Sequence, residues 1–220
     1  DAFLHAPLGV LGLPLAGELL AHQIGPIEGL IELVNAEYLQ AAHYREHLRA
    51  AENAGHASIA VRRESELAEI DALILPGGES TTIALLARTY NLIEPIRHRI
   101  SVGLPVYGSC AGMILLADRV LDGIDGQETF GGLDVTVRRN AFGRQVESFE
   151  EELQFAGRSL NAVFIRAPWV EEVGTGVEVL ARSGEHAVAV RQGKLLATSF
   201  HPELTGDLSV HQYFFDEICR

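Results

Sequence analysis

The chain has 220 residues, and 47% of them are hydrophobic, which is enough to bury a core without disulfides or a bound metal. Its 17 basic and 30 acidic residues give a formal net charge of −13. An acidic surface repels phosphate backbones and anionic lipid headgroups, so we expect neither a nucleic-acid partner nor a membrane partner.

The N-terminal stretch is apolar, but it begins with Asp1 and lacks the basic region that opens a signal peptide. Two cysteines, Cys110 and Cys219, are able to pair in principle, yet nothing else in the sequence resembles a secreted disulfide scaffold. We therefore expect a protein of the reducing cytoplasm.

Short apolar runs alternate with helical patterns through the first 120 residues, which predicts a mostly parallel sheet flanked by helices. Gly55 is placed to end the first helix, and Ser80 or Thr81 to cap the second. The predicted strands cover 9–13, 56–62, 71–75 and 104–107, and the predicted helices cover 26–53, 81–90 and 111–119.

Beyond residue 130 short strand-like runs follow one another with little helix between them. Gln192-Gly193 occupies the place of a tight hairpin turn, and a last helix over 209–219 buries Val210, Phe214 and Ile218. The predicted strands are 133–138, 162–166, 177–181, 187–191 and 195–200. Without a repeat or a linker, the sequence predicts one α/β domain over 1–220.

The segment Gly108-Ser109-Cys110-Ala111-Gly112 lies between a predicted strand and a predicted helix. A G-x-C-x-G pattern there is the thiol version of a nucleophile elbow, in which larger side chains at the glycines would collide with neighbouring backbone. The helix N-terminus favours negative charge at the cysteine, and the Ala111 N–H is directed to a developing oxyanion. The alternative is a buried small hydrophobic residue.

Two further segments supply what a thiol nucleophile needs. His201, at the end of an apolar strand, is followed by Pro202 and Glu203, which is the order of a base and the carboxylate that orients it. Pro76-Gly77-Gly78-Glu79-Ser80 follows another buried strand, and its glycines expose backbone N–H groups to an oxyanion. Taken alone, each segment is also compatible with an ordinary turn.

Together these segments resemble the class I, triad-type glutamine amidotransferases, and more of the chain is similar to the family of glutaminase subunits of pyridoxal 5′-phosphate synthase. The resemblance runs from about Leu39 to Phe215. The segments that carry it are LPGGESTTI, PVYGSCAGMILLA, GGLDVTVRRNAFGRQVESFE, VFIRAPWV and LATSFHPELTGD. It implies the flavodoxin-like, three-layer fold of that class.

The resemblance also implies a reaction and its residues. Cys110 attacks the carboxamide of L-glutamine to give a glutamyl thioester and ammonia, while His201 transfers the proton and Glu203 orients His201. Gly78 and Ala111 supply the oxyanion N–H groups. The residues implied to bind glutamine are Gly78, Glu79, Ser80, Arg139, Ile165 and Arg166, although Arg139 and Arg166 are also compatible with structural ion pairs.

The implied partner is a (β/α)₈-barrel pyridoxal 5′-phosphate synthase subunit in a large hetero-oligomer, and no cofactor or metal is expected. His43 and His47, four residues apart on a predicted helix, have a spacing that permits a shared metal, but the sequence favours no metal site there. Two other functions stay open: a different thiol amidase or peptidase, and a catalytically silent scaffolding subunit.

The N-terminal region departs from the family pattern. About 25 extra residues, Pro14 to Tyr38, separate the first strand from the segment that begins Leu39-Gln40-Ala41. Ala41 stands where the family has a glycine beside the active site. In another register the strand ends at GLPLAG and the extra residues belong to the following helix. The insertion is predicted to be either an extra packed helix or an altered contact with the partner.

Overall fold

The computed structural model describes residues 8–11, 43–142 and 148–220. Its main sheet has ten strands, and two more form a separate antiparallel hairpin. In chain order the strands are β1 Leu8–Leu11, β2 Ser58–Val61, β3 Ala72–Leu75, β4 Val106–Ser109, β5 Ala117–Leu121, β6 Leu133–Arg138, β7 Phe149–Phe155, β8 Arg158–Phe164, β9 Trp169–Val173, β10 Glu178–Ser183, β11 His186–Gln192 and β12 Leu195–Thr198.

Helices connect and cover these strands. The helical segments are α1 (43–53), α2 Glu64–Leu67, α3 Ser80–Thr89, α4 Ile93–Ser101, α5 Ala111–Leu116, a 3₁₀ turn at Pro202–Leu204, and α6 Ser209–Tyr213, which continues as a π-helical turn over Phe214–Ile218. As predicted, Gly55 ends α1: its φ is 88°, and the next N–H, of His56, bonds the Ala51 carbonyl at 3.0 Å. Among the described residues, none of the helices is long and apolar enough to cross a membrane.

One part of the main sheet, here called the parallel half, has the order β2-β1-β3-β4-β12, and all its neighbouring pairs run parallel. Every residue of β3, β4 and β12 is buried, as the continuous apolar runs of these strands predict for a sheet covered on both faces. The carboxyl ends of these three strands therefore lie side by side at one edge.

The rest of the main sheet, the mixed half, continues as β11-β9-β6-β5, with β10 paired to β11. Only β5 and β6 pair in parallel here, and the other contacts are antiparallel. The β7–β8 hairpin has an alternating burial pattern that places Leu153 and Phe155 inward.

Alternating residues of β3 divide the core into two layers. Leu73 and Leu75 pack with residues of α2, α3, α4 and α5 on one face. Ala72 and Ile74 pack on the other face with Ala51 of α1, the β7–β8 hairpin and the C-terminal helix. Helical and hairpin layers thus enclose the sheet, which agrees with the predicted three-layer α/β architecture.

Several predicted elements were wrong in extent or type. The helix after Cys110 was predicted to reach residue 119, but it ends at Leu116, because Ala117 is extended (ψ 139°) and begins β5, which pairs with β6. Strand pairing between distant segments overrides the local helical pattern here. Glu79, and not Ser80 or Thr81, caps α3, since its carboxylate accepts from the Thr81 N–H at 3.4 Å.

The sequence prediction also omitted α2, α4, β7 and β9. The last helix was predicted correctly, and its residues Val210, Phe214 and Ile218 are buried. In the N-terminal region the predicted first strand is present as Leu8–Leu11. The Pro14–Tyr38 insertion and the helix predicted from residue 26 up to residue 42 lie outside the described residues.

Candidate active site

Three strand ends of the parallel half bring the predicted motifs together. Leu75 of β3 pairs with Gly108 of β4, and Ser109 of β4 pairs with Thr198 of β12. The residues that directly follow the three strands are therefore neighbours, although more than 120 positions separate them along the chain. Ligand and catalytic sites of open α/β sheets lie at this edge of the sheet.

Cys110 occupies the strained turn that the glycine spacing predicts. Its φ is 49° and its ψ is −99°, outside the regions that L residues prefer. A Cβ on Gly108 would lie 2.5 Å from the Gly112 carbonyl, and one on Gly112 would overlap the Leu75 carbonyl of β3. The turn therefore packs backbone on backbone, which requires glycine at both positions.

His201 and Glu203 form a buried pair beside this turn. The Glu203 Oε1 atom lies 2.8 Å from His201 Nδ1, and both side chains are almost completely buried. The 3₁₀ turn that begins at Pro202 brings the carboxylate back beneath the imidazole. Cys110 and His201 both lie against Gly77 and line one pocket, so the three residues have the order nucleophile, base and orienting carboxylate.

The charges of this group support one another. Burial alone would lower the pKa of His201, but the Cys110 sulfur and the Glu203 carboxylate hold it well above its usual range. Burial alone would raise the pKa of Glu203, but neighbouring histidines hold it well below its usual range. A protonated His201 beside an ionised Glu203 is the state that these two shifts favour.

The Pro76–Ser80 segment closes the other side of the nucleophile. A Cβ on Gly77 would lie 2.5 Å from His201 Cε1, so the backbone of this segment packs directly against the imidazole. Gly78 has a φ of 133°, which a glycine adopts without strain. Ala111 is buried as the first residue of α5, directly after Cys110.

A pocket of about 140 Å³ opens above Cys110. All six residues predicted to bind glutamine line it, together with Cys110 and His201. Its full lining is His43, Gly78, Glu79, Ser80, Cys110, Ile114, Arg139, Asn140, Ile165, Arg166 and His201. Glu203 and Ala111 do not line the pocket. The Glu203 carboxylate contacts His201 and His43, which both line it.

Charged side chains form a network at the far end of this pocket. Arg139 donates to Glu79 Oε1 at 2.7 Å and to the Gln127 amide oxygen at 2.9 Å, and its side chain is only 9% exposed. Gln127 in turn donates to Ser80 at 3.0 Å. The sequence left open that Arg139 forms a structural ion pair, and it does pair with Glu79. Both residues of this pair line the pocket. Its buried Nε has no hydrogen-bond partner among the described residues.

Sequence reasoning missed Gln127 and three histidines. Gln127 lies between strands β5 and β6 in a segment without a recognisable pattern. His43 Nδ1 lies 3.2 Å from Glu203 Oε1, the oxygen that also faces His201. His47 and His211 lie behind the carboxylate. The spacing of His43 and His47 was a usable signal, since it places both on one face of α1.

His43, His201 and Glu203 also offer ligand-type atoms that lie within 4.8 Å of one another. The Nδ1 atoms of both histidines are at hydrogen-bond distance from one and the same oxygen, Glu203 Oε1. This is the geometry of a shared acceptor and not of donors arranged around an ion, so we assign no metal to these three residues.

Comparison with known proteins agrees with this arrangement. A family model described as the SNO glutamine amidotransferase family matches residues 38–220. A protein of Parafrankia sp., named pyridoxal 5′-phosphate synthase subunit PdxT, is 64% identical over 179 residues, which cover 80% of this chain and 88% of the relative. A protein of the same name from Kineococcus radiotolerans is 61% identical, over 79% of this chain and 89% of its own.

A solved structure described as a glutamine amidotransferase covers 95% of this chain and 97% of its own, with a TM-score of 0.76 and 44% sequence identity. The predicted fold class and the predicted family resemblance are thereby confirmed. The chain belongs to the SNO glutamine amidotransferase family.

Proposed function

We propose that this chain hydrolyses L-glutamine to glutamate and ammonia, and that Cys110, His201 and Glu203 perform the reaction. The observation that carries the proposal is a strained cysteine beside a buried His–Glu pair in a small pocket that also contains charged side chains. Many thiol hydrolases contain such a triad, and a pocket of about 140 Å³ suits a free amino acid better than a peptide.

In the proposed reaction the Cys110 thiolate attacks the side-chain amide carbon. The oxyanion that forms is stabilised by backbone N–H groups of Gly78 and Ala111. His201 gives its proton to the leaving nitrogen, the C–N bond breaks, and ammonia departs from a glutamyl thioester. His201 then takes a proton from water, whose oxygen attacks the thioester and releases glutamate with the thiolate regenerated. These steps use no cofactor.

The charged end of the pocket supplies the specificity. Free glutamine carries a carboxylate and an ammonium group at its backbone end, and Arg139 and Glu79 offer the complementary charges. We propose that Arg139, the Ile165–Arg166 segment, Glu79 and Ser80 bind this end while Gly78 faces the amide. A thiol peptidase would instead require an open cleft for a chain on both sides of the scissile bond.

The names of the relatives support a partner. Those relatives are called subunits of pyridoxal 5′-phosphate synthase, and we propose that this chain delivers its ammonia to a synthase subunit in the same way. The (β/α)₈-barrel fold of that subunit, the large hetero-oligomer and the cytoplasmic location belong to this proposal. Direct transfer is useful because free ammonia becomes protonated in water and is then no longer a nucleophile.

Glutamate release from L-glutamine tests the proposal, measured with and without the synthase subunit of the same organism. We expect release that depends on the partner and is lost in Cys110→Ala, with Cys219→Ala as the matched control. Burial raises the pKa of Cys219 to about 12, so that thiol is not a nucleophile at neutral pH. No release from the folded wild-type chain under either condition would support the silent scaffolding subunit instead.

A further inference from the structure

The Glu203 carboxylate has more neighbours than a triad requires. Its Oε1 atom lies 2.8 Å from His201 Nδ1 and 3.2 Å from His43 Nδ1. Its Oε2 atom accepts from the Ser109 hydroxyl at 3.3 Å and faces His47 Nε2 at 3.5 Å. Both oxygens of this fully buried carboxylate are therefore surrounded by groups that are able to donate.

Behind Oε2 lies a second pair of histidines, contributed by α1 and α6. His47 Nδ1 and His211 Nε2 are 2.9 Å apart, and neither residue has any exposed surface. The edges of both rings pack against Tyr107 of β4, with centroids 5.9 Å and 5.8 Å from the tyrosine ring. Their positions are therefore fixed by packing on the same strand that carries the nucleophile turn.

The contacts select one arrangement of hydrogens on this pair. Burial, the largest cause, lowers the pKa of His47 to about 4 and that of His211 to about 3, so each ring is neutral at pH 7 and carries one N–H. A single hydrogen must occupy the 2.9 Å contact between them. It belongs either to His47 or to His211.

If His47 Nδ1–H were the donor, the lone pair of its Nε2 would face the Glu203 carboxylate, and the only hydrogen of the His211 ring would be on Nδ1. The His211 Nδ1 atom is buried and has no partner among the described residues, so that N–H would be unsatisfied. If His211 Nε2–H is the donor, the buried Nδ1 of His211 carries only a lone pair and no N–H is placed where nothing faces it. The hydrogen of His47 then lies on Nε2, which makes no hydrogen bond among the described residues but lies 3.5 Å from Glu203 Oε2, so the carboxylate attracts a hydrogen there and would repel a lone pair.

We propose that His47 and His211 are positioning residues for the triad: His211 fixes the tautomer of His47, and the Nε2–H of His47, 3.5 Å from the second oxygen of Glu203, stabilises that oxygen electrostatically. This inference rests on the proposed catalytic role of Glu203. With Oε2 stabilised from behind, Oε1 stays directed at His201, even though His43 contacts the same atom. The groups that face the carboxylate are His43, His47, His201, Ser109 and, more distantly, Tyr107 and His211.

The tautomers are measurable without turnover. Histidine-selective ¹⁵N NMR of the full chain at pH 7.5 separates protonated from unprotonated ring nitrogens by chemical shift. We expect His47 and His211 both to carry hydrogen on Nε2 and a bare Nδ1. A hydrogen on Nδ1 of either residue would overturn the inference, whether or not the chain hydrolyses glutamine.

The positioning role is tested by kinetics on matched variants. His47→Leu removes the N–H, and we expect kcat to fall about tenfold or more with KM within about threefold. The acid limb of its pH profile should move to higher pH, because Glu203 loses a stabilising N–H and takes up a proton more easily. His47→Gln places an amide N–H near the original Nε2 and should restore most of kcat and the wild-type acid limb.

His211→Leu should lower kcat less than His47→Leu, and His98→Leu, on the exposed face of α4, serves as the control for removal of a histidine. If wild type is active and His47→Leu has a wild-type kcat and pH profile, the positioning role is wrong. If His47→Leu and His47→Gln lose activity equally, the site needs the imidazole for packing alone and the inference also fails. An inactive wild type contradicts the proposed function and leaves the tautomer measurement to decide the arrangement.

Discussion

The two halves of the main sheet contribute different things to the site. The parallel half supplies Cys110 and His201 from the ends of adjacent strands, where backbone pairing sets their positions. The mixed half supplies Arg139, which follows β6 and reaches the pocket through its long side chain. The proposed reacting groups thus depend on backbone geometry, whereas the proposed recognition groups depend on side-chain networks. Changes in the two halves should therefore have separable effects on kcat and KM.

The largest effect is expected from Gly112→Ala in the parallel half. The new methyl group would strike the Leu75 carbonyl of β3, so the turn that carries Cys110 must move. We expect a loss of about 2–3 kcal/mol in the free energy of unfolding and a kcat reduced at least about tenfold. Urea unfolding and initial rates measure both quantities.

Gly176→Ala is the matched control for this change. Its φ is 80°, and a Cβ there meets nothing within 4 Å. Only the cost of the positive φ remains, about 1 kcal/mol, with kcat unchanged. Equal effects of the two alanines on kcat would contradict the claim that backbone packing positions the nucleophile.

Arg139→Gln in the mixed half should act on binding. Removing the guanidinium leaves the backbone carboxylate of glutamine without its cation and should raise KM about 10-fold to 100-fold, with kcat lowered less than threefold. Arg138→Gln is the control, because that neighbouring arginine binds Asp122 and Glu171 outside the pocket. Steady-state kinetics of both variants measures these changes. A lower kcat with unchanged KM for Arg139→Gln would contradict a role in binding and indicate a role in the chemical step.

Acid should destabilise the fold through the buried histidines His47 of α1 and His211 of α6, which pack against Tyr107 in the parallel half. The folded-state pKa values of His47 and His211 are about 4 and 3, below the usual 6.5, so between pH 6.5 and 4 the unfolded chain binds protons that the folded chain does not. Each histidine then removes about 1.4 kcal/mol of stability per pH unit as the pH falls.

Thermal unfolding between pH 7 and 4 measures this slope. In His211→Leu one of the two protonations is absent, so its melting temperature should depend less steeply on pH than that of wild type. Identical slopes for the two proteins would show that His211 titrates normally and is not held neutral.

The smallest effect is expected from Gln127→Leu. Gln127 joins Arg139 to Ser80, and its loss leaves the Arg139–Glu79 ion pair in place. We expect KM to rise about threefold, which corresponds to less than 1 kcal/mol, at unchanged kcat. Gln127→Glu, which keeps one acceptor for Arg139, should lie between the leucine variant and wild type, and KM values in the reverse order would contradict the bridging role.

The sequence predicted those parts of the site that depend on local backbone. Gly108 and Gly112 flank the nucleophile because no larger residue fits, and this leaves a pattern within five positions. The His201–Glu203 pair is equally local. The pairing of His47 with His211 spans 164 positions, and Gln127 meets Arg139 only through the fold, so neither leaves a short motif.

The same distinction explains the wrong helix end after Cys110. Residues 111–119 have a helical pattern, but Ala117–Leu121 forms a strand because it pairs with β6. No local feature of those residues indicates this pairing. The triad roles themselves stay predictions until the variants are measured.

The buried Glu203 carboxylate has a further consequence for the end of the catalytic cycle. The proposed reaction regenerates Cys110 as a thiolate, and the pKa shifts favour a protonated His201 and an ionised Glu203, so these three groups together carry one net negative charge. Glutamine presents a neutral amide to this floor, whereas glutamate presents a new carboxylate. The negative charge repels the new carboxylate of glutamate but not the neutral amide of glutamine. Hydrolysis therefore creates an electrostatic repulsion that favours release of the product.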